Sequence, residues 1–416
     1  MSLFAVLSLV LALAALFSYV NHRFIGLPTT IGVTLIALLM SLALIGADAA
    51  GLPARAAAIS VVGRLDFRAI VLDWMLPLLL FAGALSVDLE QIIGQKRSIA
   101  LLATAGVVVS TALVGAMTWA LGRSLGLGID PVESLLFGAL ISPTDPIAVL
   151  GILRGARAPK ALEAQIAGES LFNDGVAVAL FALLLEVAVS EHGPAGVRLG
   201  EVALVFAREV GGSVALGWGV GWLAFALLRS VDDYHVEVLL TLALALGLYG
   251  LASGLHTSGP LAVVVAGLLI GGRGRAQAMS PRTIQHLDTF WELVDEILNV
   301  LLFVLIGFQV LVVHLSRGLL LVGLAAVVVV LAARALSVGA AVLALRRFQT
   351  FAPHTVKILT WGGLRGGLSI ALALSLGPEI AGVHTIQAAT YVVAVFSIAV
   401  QGLTFGRLVR ATTRAP

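Results

Sequence analysis

The sequence predicts an all-α integral membrane protein with thirteen transmembrane helices. They are arranged as two inverted six-helix repeats, with the fifth and twelfth helices discontinuous. Three observations predict this. Of 416 residues, 60% are hydrophobic and only 12% charged, whereas a soluble domain is about one-quarter charged. The apolar residues fall into thirteen runs, most near the roughly 20 residues that a helix needs to cross a bilayer. Two of those runs, seven apart in order, are interrupted near their middles by Pro or paired Gly beside an ionisable residue.

In chain order the runs cover 2–20, 27–46, 69–86, 98–121, 132–152, 161–189, 201–228, 236–254, 259–272, 286–312, 318–345, 354–376 and 386–406. The first is read as a retained span, because no positive residue precedes it and NHRF follows it rather than a small-residue cleavage site. The runs at 27–46 and 259–272 are short, with Gly and Pro nearby, which allows them to be tilted or broken. The whole chain reads as one polytopic domain: repeat one over about 1–190, a connector helix over about 201–228 and repeat two over about 236–406. No soluble regulatory domain is expected.

Orientation follows from Lys and Arg near the span ends. The odd-numbered loops and the C-terminal tail hold sixteen of them, including Lys96, Arg97, Arg154, Arg157, Lys160, Arg273, Arg275, Arg346, Arg347, Arg410 and Arg414; the other loops hold six. The first group is therefore cytoplasmic, the N-terminus is outside and the C-terminus inside. The formal net charge of +2 and the absence of Cys argue against a nucleic-acid partner, disulfides or a thiolate metal site. No cofactor is expected.

Ionisable residues inside a membrane are costly and mark function. The fifth run reads SLLFGALISPTDPIAVLGIL. Pro146 removes a helical N–H, clashes with the preceding turn and pushes Asp145 from helical dihedrals. The helix should unwind around Thr144 and Asp145. That frees carbonyls for a hard cation and leaves a half-helix N-terminus for Asp145 to cap. A plain proline kink is the simpler alternative, but a kink needs no aspartate.

The sixth run contains GESLFNDGVAVALF at 168–181. At 100° per residue, Glu169 and Asn173 share one stripe, and Ser170 and Asp174 share the next. Oxygen ligands of these types suit hard cations. Glu169 could equally belong to a polar network that locks two helices together. In the twelfth run, Gly362, Gly363, Gly366 and Gly367 surround Arg365. An arginine at that depth calls for a carboxylate, and Glu169 or Asp145 could supply it, in a pair that is structural or part of the site. Asp73 is a candidate inward-facing group, Asn299 reads as a helix-packing amide, and Arg208, Glu209 and Arg334 have no assigned place.

The two interrupted runs sit at matching positions of oppositely directed halves, which in transporters points to the binding site. These residues resemble the monovalent cation/proton antiporters, in the NhaP branch that includes the eukaryotic Na+/H+ exchangers. SPTDP at 142–146 and GESLFNDGVAVALF carry the resemblance. LHTSGPLAVVVAGLLIG, FWELVDEILNVLLFVLIG and TWGGLRGGLSIALAL extend it over roughly residues 70–410. The resemblance implies the NhaA/NhaP-like fold, a homodimer in the cell (inner) membrane, and a core that moves against a dimerisation domain. It implies that Asp174 binds the cation or the proton. It also implies that Ser170 and the Thr144 backbone ligate Na+, that Asn173 holds the unwound helix, and that Glu169 pairs with Arg365. One departure stands out. Archaeal members carry a glutamate in the third span, where PLLLFAGALSVDL here has Ala82.

The function so implied is exchange of Na+ or Li+ for H+, electroneutral and one-for-one, because Asn173 replaces the second aspartate of the electrogenic branch. A K+/H+ antiporter would use the same machinery, and a cation channel or uniporter could use the same polar site. An enzyme is not expected. GLGID at 126–130 and the pair Asp145 and Asp174 do not make an intramembrane aspartyl protease, since the motif spacing is wrong.

Overall fold

A helix satisfies its backbone hydrogen bonds internally, as a lipid environment requires. The described residues form helices and no strands. The computed structural model describes residues 2–52, 54–126, 128–155, 159–190, 199–349 and 351–413. Arg157 and Arg414, two of the expected cytoplasmic cations, lie outside the described residues.

Among the described residues, ten helical stretches are long and apolar enough to cross a bilayer. They are Phe4–Ile25, Thr29–Ala49, Ala69–Ser86, Lys96–Leu125, Lys160–Val189, Leu204–Arg229, Tyr234–Gly254, Pro281–Leu311, Arg317–Leu345 and Val383–Thr412. Shorter helices occupy the other three apolar runs: Pro131–Leu140 followed by Ile147–Gly155, Gly259–Leu269, and Thr355–Trp361 followed by Gly367–Leu374.

Three details differ from the sequence expectation. The 27–46 run forms one unbroken helix, Thr29–Ala49. The 98–121 run is instead interrupted: Thr104, at φ −112° and ψ −82°, separates Lys96–Ala103 from Ala105–Leu125. Asp73 lies exposed on a π-helical stretch, Ala69–Met75, off the inward stripe formed by Val71, Leu72 and Met75.

Helix starts are specified locally. Pro131–Leu140 opens on a capping box between Asp130 and Glu133, with Pro131 in the first turn, where its missing N–H costs nothing. Glu133 also accepts the Gly382 N–H at 2.9 Å, which ties this start to the one at Val383–Phe396. Ser258 caps Gly259–Leu269 and Ser280 caps Pro281–Phe308 through their hydroxyls. The interior is aliphatic and aromatic; Phe81 packs on Trp291 with ring centroids 4.8 Å apart.

Candidate ion site

Two helices stop where the sequence says they should. The first ends at Leu140, residues 142–146 are non-helical, and a new helix starts at Ile147. The second ends at Trp361, residues 363–366 are non-helical, and Gly367 starts the next half. The two breaks meet. The Asp145 N–H donates to the Leu364 carbonyl at 2.8 Å. Asp145 Oδ1 accepts the Ile147 N–H at 3.0 Å, placing a negative charge at that half-helix N-terminus.

Gly366 backs onto the same carboxylate: a Cβ there would collide with Asp145 Oδ2 and lie 2.9 Å from Asp145 Cβ. Gly366→Ala is therefore expected to force the crossing apart. An overpacked core site costs about 1–3 kcal/mol, and a lower unfolding temperature in detergent, with slower exchange, checks this.

The Lys160–Val189 helix runs unbroken beside this crossing. Its polar residues cross the stripe division: Asn173 from one stripe and Ser170 from the other both meet Thr144 in the first break, while Glu169 turns elsewhere. Asn173 Nδ2 donates to Thr144 Oγ1 at 2.8 Å, and the Thr144 N–H points back at Asn173 Oδ1 at 3.5 Å. Ser170 Oγ donates to the Thr144 carbonyl and lies 3.3 Å from Thr144 Oγ1. A short non-helical segment is thus held open by side chains instead of by its own helical hydrogen bonds. Asn173→Ala removes both contacts to Thr144. It is expected to weaken apparent Na+ affinity about tenfold, from two lost hydrogen bonds of ~0.5–1.5 kcal/mol each, measured by titrating Na+ against exchange rate.

Asp174 comes next on that helix. Its Oδ1 is buried and has no hydrogen-bond donor among the described residues. Buried polar atoms are mostly paired; this carboxylate oxygen is one of a small set of unpaired ones among the described residues, which also includes Asn299 Oδ1 and Ser369 Oγ. Asp145 and Arg365 are the charges that act on it.

The expected pairing of Glu169 with Arg365 is corrected. Glu169, 2% exposed, forms its ion pair with Arg334. Arg334 reaches it from Arg317–Leu345, passing Gly363 in the second break, where a Cβ would lie 2.9 Å from its Nε. Its Nη2 also donates to the Leu359 carbonyl at 3.4 Å. Arg365, also 2% exposed, turns the other way. Its Nη1 donates to the Ser142 carbonyl and, at 2.9 Å, to the Pro143 carbonyl. These carbonyls face the break, where Pro146 has no N–H to offer Ser142. The guanidinium thus replaces missing helix donors. Arg334 was detectable, since an arginine near the middle of a span needs a partner.

Asp295, on the Pro281–Phe308 helix, is a further charge that the motifs do not single out. It acts electrostatically on Asp145, and buried Asn299 hydrogen-bonds to it. Ala82 is buried, and its neighbour Gly83 faces Leu171 with 3.7 Å between a Cβ position and Leu171 Cδ1. The third span therefore meets the site helix through apolar contact at this level. Arg208 is exposed and takes no part.

The family model described as "Sodium/hydrogen exchanger, transmembrane" matches residues 10–411. A protein named Na(+)/H(+) antiporter NhaP from Pseudomonas aeruginosa is 48% identical over 407 residues, covering 96% of this chain and 95% of that one. Na(+)/H(+) antiporter NhaH from Halobacillus dabanensis is 35% identical over 83% of each chain. Among solved structures, the sodium proton antiporter MjNhaP1 from Methanocaldococcus jannaschii at pH 8 superposes over the full length of both chains with a TM-score of 0.77 at 18% identity. That likeness concerns the fold.

Proposed function

The chain belongs to the sodium/hydrogen exchanger family, a family of transporters, and on that footing we propose that it exchanges Na+ for H+ by letting the two compete for Asp174. The observation that carries this reading is the donor-free Oδ1 of Asp174, buried beside a helix break. Ser170 Oγ and the Thr144 carbonyl and hydroxyl line the break as further oxygen donors. Two hydroxyls and a carbonyl together with a carboxylate suit Na+ or Li+.

Competition produces coupling. A carboxylate charge without compensation is expensive to carry through a low-dielectric seam. Na+ or H+ neutralises it, so the loaded site crosses and the bare site stays. Thirteen spans in two inverted repeats, a homodimeric assembly and a cytoplasmic C-terminus complete the reading. The matching breaks at 142–146 and 363–366 support the repeats.

Stoichiometry follows from what is already engaged. Asn173 carries no charge, Glu169 is held by Arg334 and Asp145 caps its helix. One Asp174 proton then trades for one Na+. Exchange in vesicles is expected to run at the same rate with or without an imposed membrane potential; a rate that follows the potential would overturn one-for-one exchange. The function itself is tested by internal pH change in proteoliposomes given Na+, Li+ and K+ in turn. Na+ and Li+ are expected to drive it. A response to K+ alone would reassign the cation, and none to any would remove antiport.

A further inference from the structure

Gly175 follows the ion-binding aspartate directly, and another helix rests on its backbone. The Ser258 hydroxyl donates to the Gly175 carbonyl at 3.2 Å and accepts the Leu261 N–H at 3.4 Å. A Cβ on Gly175 would lie 3.0 Å from Leu261 Cβ and 3.1 Å from Leu261 Cα and N. The two backbones meet so closely that a methyl group here would push Leu261 back by a few tenths of an ångström.

The Gly259–Leu269 helix is fastened elsewhere by similarly close approaches. A Cβ on Gly217 would collide with the Ala262 carbonyl, one on Gly221 would lie 3.2 Å from Ala266 Cα, and one on Gly267 would lie 2.7 Å from Ala84 Cβ. It is thus packed onto Leu199–Arg229 and Leu76–Ser86, apart from the crossed half-helices that carry Thr144 and Arg365. The Ser258 and Leu261 contact on Gly175 bridges these two groups of helices.

Length decides which side of Asp174 this contact lies on. From Leu269 the helix continues as a π-helical stretch to Gly274, and Arg273 and Arg275 mark that end. At ~1.5 Å per residue its start lies about 24 Å from that end. Gly175 lies about 22 Å from Lys160, the cytoplasmic start of its own helix, on the same count. The two levels agree; Gly175 follows Asp174 in the outward direction, and Tyr234–Gly254 crosses the bilayer and ends four residues before Ser258, so the contact lies on the flank of Asp174 away from the cytoplasm.

We infer that Ser258 and Leu261, seated on Gly175, form the outer latch of the ion site: a positioning contact that closes the outward path to Asp174 and must release for the site to open outward. This rests on Asp174 being the exchange site. Gly175 is then glycine because any side chain would hold the latch ajar. Ser258 is the reversible part, one hydrogen bond strong.

The test uses the absence of native cysteine. Val178→Cys places a thiol one turn outward of Asp174 on the same face. Whole cells are treated with a membrane-impermeant cationic thiol reagent. Adding Ser258→Ala is expected to speed labelling about two- to tenfold, the worth of one neutral hydrogen bond. Ser258→Thr, which keeps the hydroxyl, is expected to restore the slow rate, and Gly175→Ala to exceed Ser258→Ala. In vesicles, Ser258→Ala should lower the Na+ KM from the outer side and raise it from the cytoplasmic side. General damage would not produce opposite shifts. Unchanged labelling in Ser258→Ala, or KM values moving together on both sides, overturns the latch. Absence of cation-driven pH change in the unmodified protein would instead overturn the exchange reading, independently of the labelling result.

Discussion

Asp174→Asn is expected to reduce Na+-driven pH change in proteoliposomes to the level of empty vesicles. The substitution keeps the size and planarity of the side chain and removes both the charge and the titrating proton. Oδ1 has no donor to lose, so the change leaves no native hydrogen bond broken at that atom, and the protein should elute from a sizing column as before. Transport disappears because neither competitor retains a binding group. The amide carries no charge to compensate, and the coupling between occupancy and movement goes with it. Folded protein with retained exchange would take Asp174 out of the mechanism.

Glu169→Gln carries the largest expected cost in stability. Removing one partner of a buried ion pair leaves the other charge uncompensated, at about 3–5 kcal/mol. Arg334, 8% exposed, is the group left behind. The matching Arg334→Gln is expected to cost a similar amount by stranding Glu169. The double substitution should recover much of the loss, because two amides of similar shape strand no charge. A double-mutant cycle on unfolding temperature in detergent measures this. Strong coupling between positions 169 and 334, and weak coupling between 169 and 365, is the expected pattern. The reverse would restore Arg365 as the partner of Glu169.

Much of this site was legible because it rests on local chemistry. Pro143 and Pro146 forbid a continuous helix, Gly362 to Gly367 invite a break, and the two stripes of GESLFNDGV follow from helical period. The meeting of Asn173 and Ser170 with Thr144 follows once those stripes face the first break. Other features depend on how helices rotate against one another, which periodicity does not encode. Glu169 had two arginines within the membrane to choose from, and only the crossing geometry sends Arg334 to it while Arg365 turns to the carbonyls of Ser142 and Pro143. Asp73 lies on the exposed face of its helix, off the buried stripe of Val71, Leu72 and Met75. The break at Thr104 carries no proline or glycine at the break itself to announce it. The Gly175 contact was hidden because it depends on where a short helix begins in depth.

Competition for one carboxylate is the central claim, and the dependence of Na+ KM on pH tests it most directly. Initial rates of 22Na+ uptake into proteoliposomes are measured over a range of Na+ concentrations at successive pH values, equal on both sides. If Na+ and H+ exclude each other at Asp174, acidification raises the Na+ KM, approaching about tenfold per pH unit in the acid range by mass action, while saturating Na+ restores the rate. A Na+ KM that stays constant while the maximal rate falls with acidification would contradict the account.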